Sequence, residues 1–302
     1  MNIHQLYTKC LAQGAYYIES NGEAAIIDPL RETQPYLDLA QQEGTTIKYI
    51  FETHFHADFV SGHVDLSQKT GAPIVYGPTA ETDYPIYQAK DDEVFQIGEI
   101  SITVLHTPGH TPESTTYLLK DAKGKEVAIF TGDTLFIGDV GRPDLALKNN
   151  LTREDLAAML FDSLRNKIMP LSDDITVYPA HGAGSACGKN MSSDTFVSLG
   201  NQKKTNYALR ADMTKADPEA QGEFKIQTSS LAKLAAQFGS KDLPIKDQSM
   251  TLSGMLWPIS SNSTNSEPSW KDNYFEGVPS PAGGILVLMP LILSLSEINI
   301  IK

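Results

Sequence analysis

Six histidine and aspartate side chains of the kind that ligate metals in enzymes lie at four separate places in the sequence. They are His54, His56 and Asp58 in one run, followed by His110, Asp133 and His181. Imidazole and carboxylate groups suit zinc, iron and manganese alike. Because the whole chain contains only seven histidines, chance is a poor explanation for this set. The pattern predicts a metal site that is assembled from several loops.

Each of these places follows a short apolar run with the pattern of a buried strand. The runs are residues 47–51, 104–105, 127–130 and 175–178. The alternation of His54 and His56 keeps the chain extended, so both imidazoles can converge at the end of a strand, and we expect Asp58 at the start of a helix. A Pro108-Gly109 turn presents His110 at a loop. Four strand ends are therefore predicted to meet at one site.

The motifs resemble, in order and spacing, those of the metallo-β-lactamase fold over roughly residues 1–210. Within that superfamily they are most similar to persulfide dioxygenases, of the variant that is often fused to rhodanese domains. The segments that carry this resemblance are residues 53–58 (Thr-His-Phe-His-Ala-Asp), 61–62, 108–112, 132–137, 141–144 (Gly-Arg-Pro-Asp) and 201–207. The resemblance implies an α/β fold, an αββα four-layer sandwich, which the alternation of predicted strands and helices also suits.

The resemblance also implies a ligand set. One Fe(II) would be held by His54, His110 and Asp133, and the facial arrangement of two histidines and one carboxylate is typical of non-haem iron oxygenases. His56, Asp58 and His181 would then be neighbours that orient the ligands, or ligands of a second ion. Two-metal members of the superfamily place a histidine directly after the aspartate of the first motif, and here that position is Phe59.

Because phenylalanine cannot ligate a metal, Phe59 favours one ion over two. The preferred hypothesis is an iron-dependent persulfide dioxygenase of sulfide metabolism, which oxidises a glutathione or coenzyme A type persulfide with O2 to sulfite and thiol. The first alternative is a zinc-dependent thioester hydrolase of the type II glyoxalase kind, in which a metal-bound hydroxide attacks the substrate. The second is an inactive relative with a damaged C-terminus.

Four further residues are candidates for substrate contact or loop support. Arg142 is expected to pin its loop by pairing with a carboxylate, or to meet an acidic substrate. Cys187, in a glycine-rich loop six residues after His181, is either a thiol that meets the substrate sulfur or a small buried side chain. Lys189 could attract an anionic thiol. Tyr178 could donate a hydrogen bond near the metal, although an aromatic side chain beside a strand is more often part of the core.

Composition limits the partners. The formal net charge of −13 and a pI near 4.9 argue against nucleic acid, which needs a basic surface. A membrane is not expected as a partner because the apolar run at 284–293 is shorter than the about 20 residues that a spanning helix needs. Two cysteines and no visible secretory signal favour a cytoplasmic location. Oligomerisation stays open.

Helices are predicted at residues 33–43, where Pro35 lies early and Gly44 follows the end, and at residues 152–168. The predicted organisation is a catalytic domain at 1–210, a linker or peripheral segment at 211–250, and a tail without a family match at 251–302. No cysteine follows Cys187. A working rhodanese domain, which needs a cysteine nucleophile, is therefore excluded within these residues.

Overall fold

A computed structural model describes residues 1–144, 151–189 and 191–210 of the protein. Two six-stranded sheets form this part of the chain. In the first sheet the strands lie in sequence order from β1 to β6, and in the second sheet they lie in the order β12-β11-β10-β9-β8-β7. Within these described ranges, no helix is long and apolar enough to cross a membrane.

The elements follow one another with short connections. The strands of the first sheet are β1 (Asn2–Thr8), β2 (Gln13–Ser20), β3 (Glu23–Ile27), β4 (Thr46–Phe51), β5 (Ile74–Tyr76) and β6 (Tyr87–Gln88). Those of the second are β7 (Val94–Ile97), β8 (Ile100–His106), β9 (Thr115–Lys120), β10 (Glu126–Gly132), β11 (Thr176–Pro179) and β12 (Val197–Ser198). The helices are α1 (Gln34–Glu43), α2 (His63–Thr70), α3 (Arg153–Ser163) and α4 (Leu199–Thr205).

The main core lies between the two sheets. Alternate side chains of each strand point to the same face of a sheet. The inward-facing set includes Ile18, Ile27 and Phe51 from the first sheet, which join Val104 and Phe130 from the second in one buried cluster. Burying such side chains contributes roughly 1.5–3 kcal/mol each. This packing fixes the two sheets face to face and so aligns their strand ends.

The outer face of each sheet is covered by helices. Tyr36 of α1 and Leu66 of α2 pack with Ile26 and Ile50 on the first sheet, while Leu160 of α3 belongs to the cluster on the second sheet. The layers are therefore helix, sheet, sheet and helix. This confirms the predicted αββα four-layer sandwich.

Both predicted helices are present. Helix α1 has proline in its first turn and ends at Gly44, which is left-handed at φ 64°. Helix α3 begins with a capping box between Thr152 and Asp155, and residues Leu164–Ile168 continue it as a π-helical turn. The expectation that Asp58 starts a helix is wrong, because α2 begins only at His63 and Asp58 lies in the preceding loop.

The described ranges fall within the catalytic domain predicted for residues 1–210. The predicted linker or peripheral segment at 211–250 and the predicted tail at 251–302 lie outside the described residues.

Candidate metal centre

The candidate ligands lie at or just beyond the ends of four strands. His54 follows β4, Asp133 follows β10, and His181 follows β11. His110 stands in the loop between β8 and β9. Strand β11 runs parallel to β10, so Asp133 and His181 leave the second sheet at the same edge. Sequence-distant side chains are thereby brought into one buried place.

His54, His110 and Asp133 form a compact cluster. Each offers one ligand atom, and these atoms all lie within 4.8 Å of one another. The Nε2 atoms of His110 and His54 lie 3.4 Å and 3.8 Å from Oδ2 of Asp133. All three side chains are buried. The cluster therefore has the composition and spacing of a three-ligand metal site.

The chemistry of this cluster fits a cation. Neither carboxylate oxygen of Asp133 has a hydrogen-bond partner among the described residues, although the side chain is fully buried. A buried carboxylate without partners is costly, and a bound metal ion removes that cost. Burial and the neighbouring histidines His56, His110 and His181 lower the pKa of His54 well below its ordinary value, so this ring is neutral and able to ligate.

Neighbouring groups orient the two imidazoles. Nδ1 of His110 lies 2.9 Å from the backbone oxygen of Arg142 and donates to it, which leaves Nε2 for a metal. Nδ1 of His54 lies 3.0 Å from the hydroxyl of Thr53. Such outer contacts fix the ring orientation of a metal-ligating histidine.

Gly132 allows the second sheet to approach the first at this point. Its φ is +52°, and a Cβ atom there would lie 2.6 Å from Cβ and Oγ1 of Thr53. A side chain would therefore push Thr53, and with it His54, away from Asp133. Glycine is the residue that accepts both the left-handed backbone and this close approach.

A second cluster lies on the other side of Asp133. The ligand atoms of Asp58, His181 and Cys187 lie within 4.8 Å of one another. Nε2 of His181 lies 3.1 Å from Oδ2 of Asp58 and 3.6 Å from Oδ1 of Asp133. Burial, followed by the carboxylates of Asp133 and Asp58, raises the pKa of the Cys187 thiol well above its ordinary value. The sequence analysis named all three residues as candidates, but it gave Cys187 a substrate-contact or packing role and did not count it among the ligands.

His56 faces a third cluster, which the sequence analysis missed. Its Nε2 lies 3.2 Å from Oδ1 of Asp28 and 3.3 Å from Oε2 of Glu52. Burial alone would lower the pKa of His56, but the two carboxylates raise it well above its ordinary value. Nδ1 of His63 lies 3.3 Å from Oε1 of Glu52. The sequence feature that could have predicted this cluster is an acidic residue directly after each of two buried strands, β3 and β4.

The ligand atoms of His56, Asp28 and Glu52 also lie within 4.8 Å of one another. Here, however, the histidine ring lies at ion-pair distance from both carboxylates, at 3.2 Å and 3.3 Å. Asp28 accepts hydrogen bonds from the backbone N–H and the hydroxyl of Thr53, at 2.7 Å and 2.8 Å. Glu52 accepts one from Ser61 at 2.7 Å. Burial would raise the pKa of Glu52, but His56 and His63 lower it to about 2.

The remaining candidates occupy different surroundings. Arg142 donates to both carboxylate oxygens of Asp144 at 3.0 Å and 2.7 Å, and its backbone N–H donates to the carbonyl of Cys187. The backbone N–H of Lys189 donates to Asp139. The Tyr178 ring stacks on Phe130 at a centroid distance of 5.3 Å and packs against the core between the sheets.

Phe59 is buried and packs against His56, with ring centroids 4.4 Å apart. The residue therefore has a packing role beside the third cluster. Its side chain supplies no ligand atom for a metal.

The fold and this constellation of buried ligands define a class. The metallo-beta-lactamase superfamily matches residues 9–181 of this sequence, which is more than half of the chain. The chain therefore belongs to the metallo-beta-lactamase superfamily, whose members are metal-dependent enzymes.

The relatives of this chain include two kinds of enzyme, and the sequence identity to both kinds is similar. The chain is 28% identical over 221 residues to the hydroxyacylglutathione hydrolase GloC of Haemophilus influenzae, covering 65% of this chain and 98% of that protein. It is 32% identical over 161 residues to human mitochondrial persulfide dioxygenase ETHE1, covering 53% of this chain and 59% of that protein. For several curated relatives, the match spans only half to two thirds of their length.

Two solved structures are similar to this protein over about three quarters of its chain. A metallo-beta-lactamase from Staphylococcus aureus has a TM-score of 0.67 at 34% identity, covering 78% of this chain and 70% of that one. ETHE1 from Myxococcus xanthus has a TM-score of 0.61 at 28% identity, covering 74% and 88%. Both likenesses agree with the two-sheet architecture.

Proposed function

We propose that the protein is a mononuclear non-haem iron(II) persulfide dioxygenase. The observation that carries the proposal is the buried trio of His54, His110 and Asp133, whose ligand atoms lie within 4.8 Å of one another. Two imidazoles and one carboxylate are the donor set of facial iron oxygenase sites. Relatives named persulfide dioxygenase support the same class.

The proposed reaction oxidises the outer sulfur of a thiol persulfide. That sulfur takes up both atoms of O2 and one oxygen atom from water, the S–S bond breaks, and sulfite leaves with release of the thiol and two protons. Iron(II), when bound, supplies open coordination positions for the persulfide sulfur and O2. The substrate is proposed to be a persulfide of the glutathione or coenzyme A type, and the compartment the cytoplasm.

The residues of the chain have distinct proposed tasks. His54, His110 and Asp133 hold the metal, while Thr53 and the carbonyl of Arg142 keep the two rings in orientation. The side chain of Arg142 is engaged with Asp144, and we propose loop support as its role. Lys189 is exposed and is proposed to attract the anionic end of the thiol.

The second candidate function is thioester hydrolysis. It is favoured by Asp58 and His181, which lie beside Asp133 where a second ion would bind, and by relatives named hydroxyacylglutathione hydrolase. Phe59 weighs against it because this side chain provides no metal ligand.

One experiment separates the two functions. The full chain is purified without oxygen, its metals are measured, and the same sample is given either glutathione persulfide with O2 or a hydroxyacylglutathione. We expect close to one iron per chain, with O2 consumption and sulfite formation. Two zinc ions per chain with thioester hydrolysis and no O2 consumption would overturn the proposal in favour of the hydrolase.

A further inference from the structure

Asp139 is a fully buried carboxylate that the proposed function does not use. It follows Asp133 in the loop after β10. Its oxygens accept hydrogen bonds from three places in the chain: the backbone N–H of Val140 at 2.8 Å, the backbone N–H of Lys189 at 2.6 Å and the hydroxyl of Tyr207 at 2.9 Å. A buried carboxylate is costly unless donors surround it. Asp139 therefore holds these three parts of the chain together.

Side chains of the segment 201–207 contact the same loop. Nδ2 of Asn206 donates to the backbone oxygen of Asp139 at 2.9 Å. Oε1 of Gln202 accepts a hydrogen bond from the backbone N–H of Gly138 at 2.8 Å and another from Nδ2 of Asn206 at 3.1 Å. Both side chains are buried, as polar groups with hydrogen-bond partners can be. The segment therefore fixes the loop after β10 through its side chains.

The contacts of Asp139 reach the candidate metal centre. Besides its bond to Lys189, the backbone N–H of Arg142 donates to the carbonyl of Cys187 at 3.1 Å. The two loops are thus joined at two points. The backbone oxygen of Arg142 in turn accepts a hydrogen bond from the ring of His110 at 2.9 Å. Asp139 therefore ties the loop of Cys187 and Lys189 to the loop that orients a candidate metal ligand.

We propose that Asp139, held by Tyr207, is a positioning residue for the thiol substrate. It fixes the backbone of Lys189 and thereby the place from which this exposed side chain attracts the anionic end of the thiol. The inference rests on the proposed function, which gives Lys189 that task. Because Asp139 acts through Lys189, loss of its contact weakens substrate binding and raises KM, while kcat and the metal content stay the same.

A double-mutant cycle in the full chain with its native metal tests this proposal. Asp139→Asn keeps the shape but turns one acceptor oxygen into an NH2 group. KM should therefore rise by roughly tenfold, as for the loss of one hydrogen bond to a charged group, with kcat and metal per chain unchanged. Lys189→Met should also raise KM. In that background Asp139→Asn should raise KM no further, because the side chain through which it acts is gone. KM is measured for whichever substrate the wild-type chain turns over.

A second measurement reports on the loop without turnover. The chain has two cysteines, of which Cys187 is buried and Cys10 is exposed. In a Cys10→Ser background, a thiol reagent can label Cys187 alone, and only when its loop opens. Asp139→Asn and, to a smaller extent, Tyr207→Phe should speed this labelling by roughly two- to tenfold, because each weakens the contacts that keep the loop closed.

Tyr17→Phe is the matched control for these variants. It also removes a part-buried hydroxyl contact, here with Thr45 on the outer side of the first sheet. It should leave both the labelling rate and KM unchanged. Should Asp139→Asn not fold by circular dichroism, Tyr207→Phe takes its place in both measurements.

Three results would overturn the inference: labelling and KM of Asp139→Asn that match the parent values, a further rise in KM when Asp139→Asn is added to Lys189→Met, or equal effects from Tyr17→Phe. A chain without dioxygenase activity would still show the difference in labelling. Failure of the proposed function and failure of this inference are therefore distinguishable.

Discussion

The cluster around Asp133 and the cluster around His56 both lie at strand ends, but the carboxylates of the two clusters have opposite kinds of surroundings. The oxygens of Asp133 have no hydrogen-bond donor within the described residues. Asp28, by contrast, accepts two hydrogen bonds from Thr53, and His56 lies between its carboxylate and that of Glu52. A cation is needed where the protein provides no donors. The comparison therefore supports Asp133, rather than Asp28, as the carboxylate that would hold a metal ion.

The two clusters also distinguish the roles of two histidines that belong to one sequence motif. His54 and His56 stand two residues apart and their rings lie 4.2 Å apart, yet Nε2 of His54 faces Asp133 while Nε2 of His56 faces Asp28 and Glu52. Membership of a motif does not decide which cluster a side chain supports. The partners that each ring nitrogen meets decide it.

The largest effect is expected from removing a ligand of the first cluster. His110→Ala and Asp133→Ala should purify nearly free of iron, because each removes one of three protein ligands. Asp58→Ala and His181→Ala should retain measurable iron with activity lowered by roughly 10 to 100-fold, as is typical for partners outside the ligand set. Iron measured per chain by mass spectrometry tests this. Equal iron loss in both groups would contradict the assignment of a single-iron trio.

The second-largest effect is expected on stability, when one carboxylate of the third cluster is removed. Glu52→Leu leaves His63 without a carboxylate partner and His56 with Asp28 alone, and removing one partner of a buried ion pair costs about 3–5 kcal/mol. The partly exposed pair of Glu23 and Lys48 provides the control, because Glu23→Gln, which keeps a side-chain oxygen for the N–H of Gly98, should cost no more than about 1 kcal/mol. Urea unfolding of the metal-free proteins measures both. Similar losses for the two variants would show that His56 does not depend on Glu52.

Sequence reasoning predicted the alternation of strands and helices and the six candidate ligands because strand ends and helix caps have local signals. The four-layer arrangement was predicted from the family resemblance. Thr152 with Asp155 and the Pro35 and Gly44 pair mark helix ends within a few residues of sequence. The pairing of Cys187 with Asp58 depends on a loop of the second sheet meeting a loop of the first. No local sequence pattern predicts such a contact between two loops. The contacts of Asp28 and Glu52 with His56 were not predicted for the same reason.

Thr53 connects the two clusters, and changing it tests whether they are coupled. Its hydroxyl donates to Asp28 and lies 3.0 Å from Nδ1 of His54. Thr53→Val keeps the shape but removes this link, so iron affinity should fall by roughly 10 to 100-fold. Competition with a chelator measures the affinity. Thr116→Val, which alters a buried hydroxyl bonded to Thr107, should leave iron affinity unchanged, and a loss of equal size there would remove the case for coupling.

The smallest effect is expected at Phe59, whose ring packs on His56 with centroids 4.4 Å apart. Phe59→Leu exchanges one buried apolar side chain for another, so the free energy of unfolding should fall by less than about 1.5 kcal/mol. Iron affinity should not change, because the carboxylates of Asp28 and Glu52 hold His56 from the other side. Chelator competition measures the iron affinity, and urea unfolding of the same sample measures the stability.

If Phe59→Leu weakened iron binding as much as Thr53→Val, the Phe59 ring would be positioning His56. The carboxylates of Asp28 and Glu52 alone would then not be enough to hold the His56 ring in place. In that case Phe59 would influence iron binding by positioning His56. This effect would then matter more for the metal site than the absence of a ligand atom at position 59.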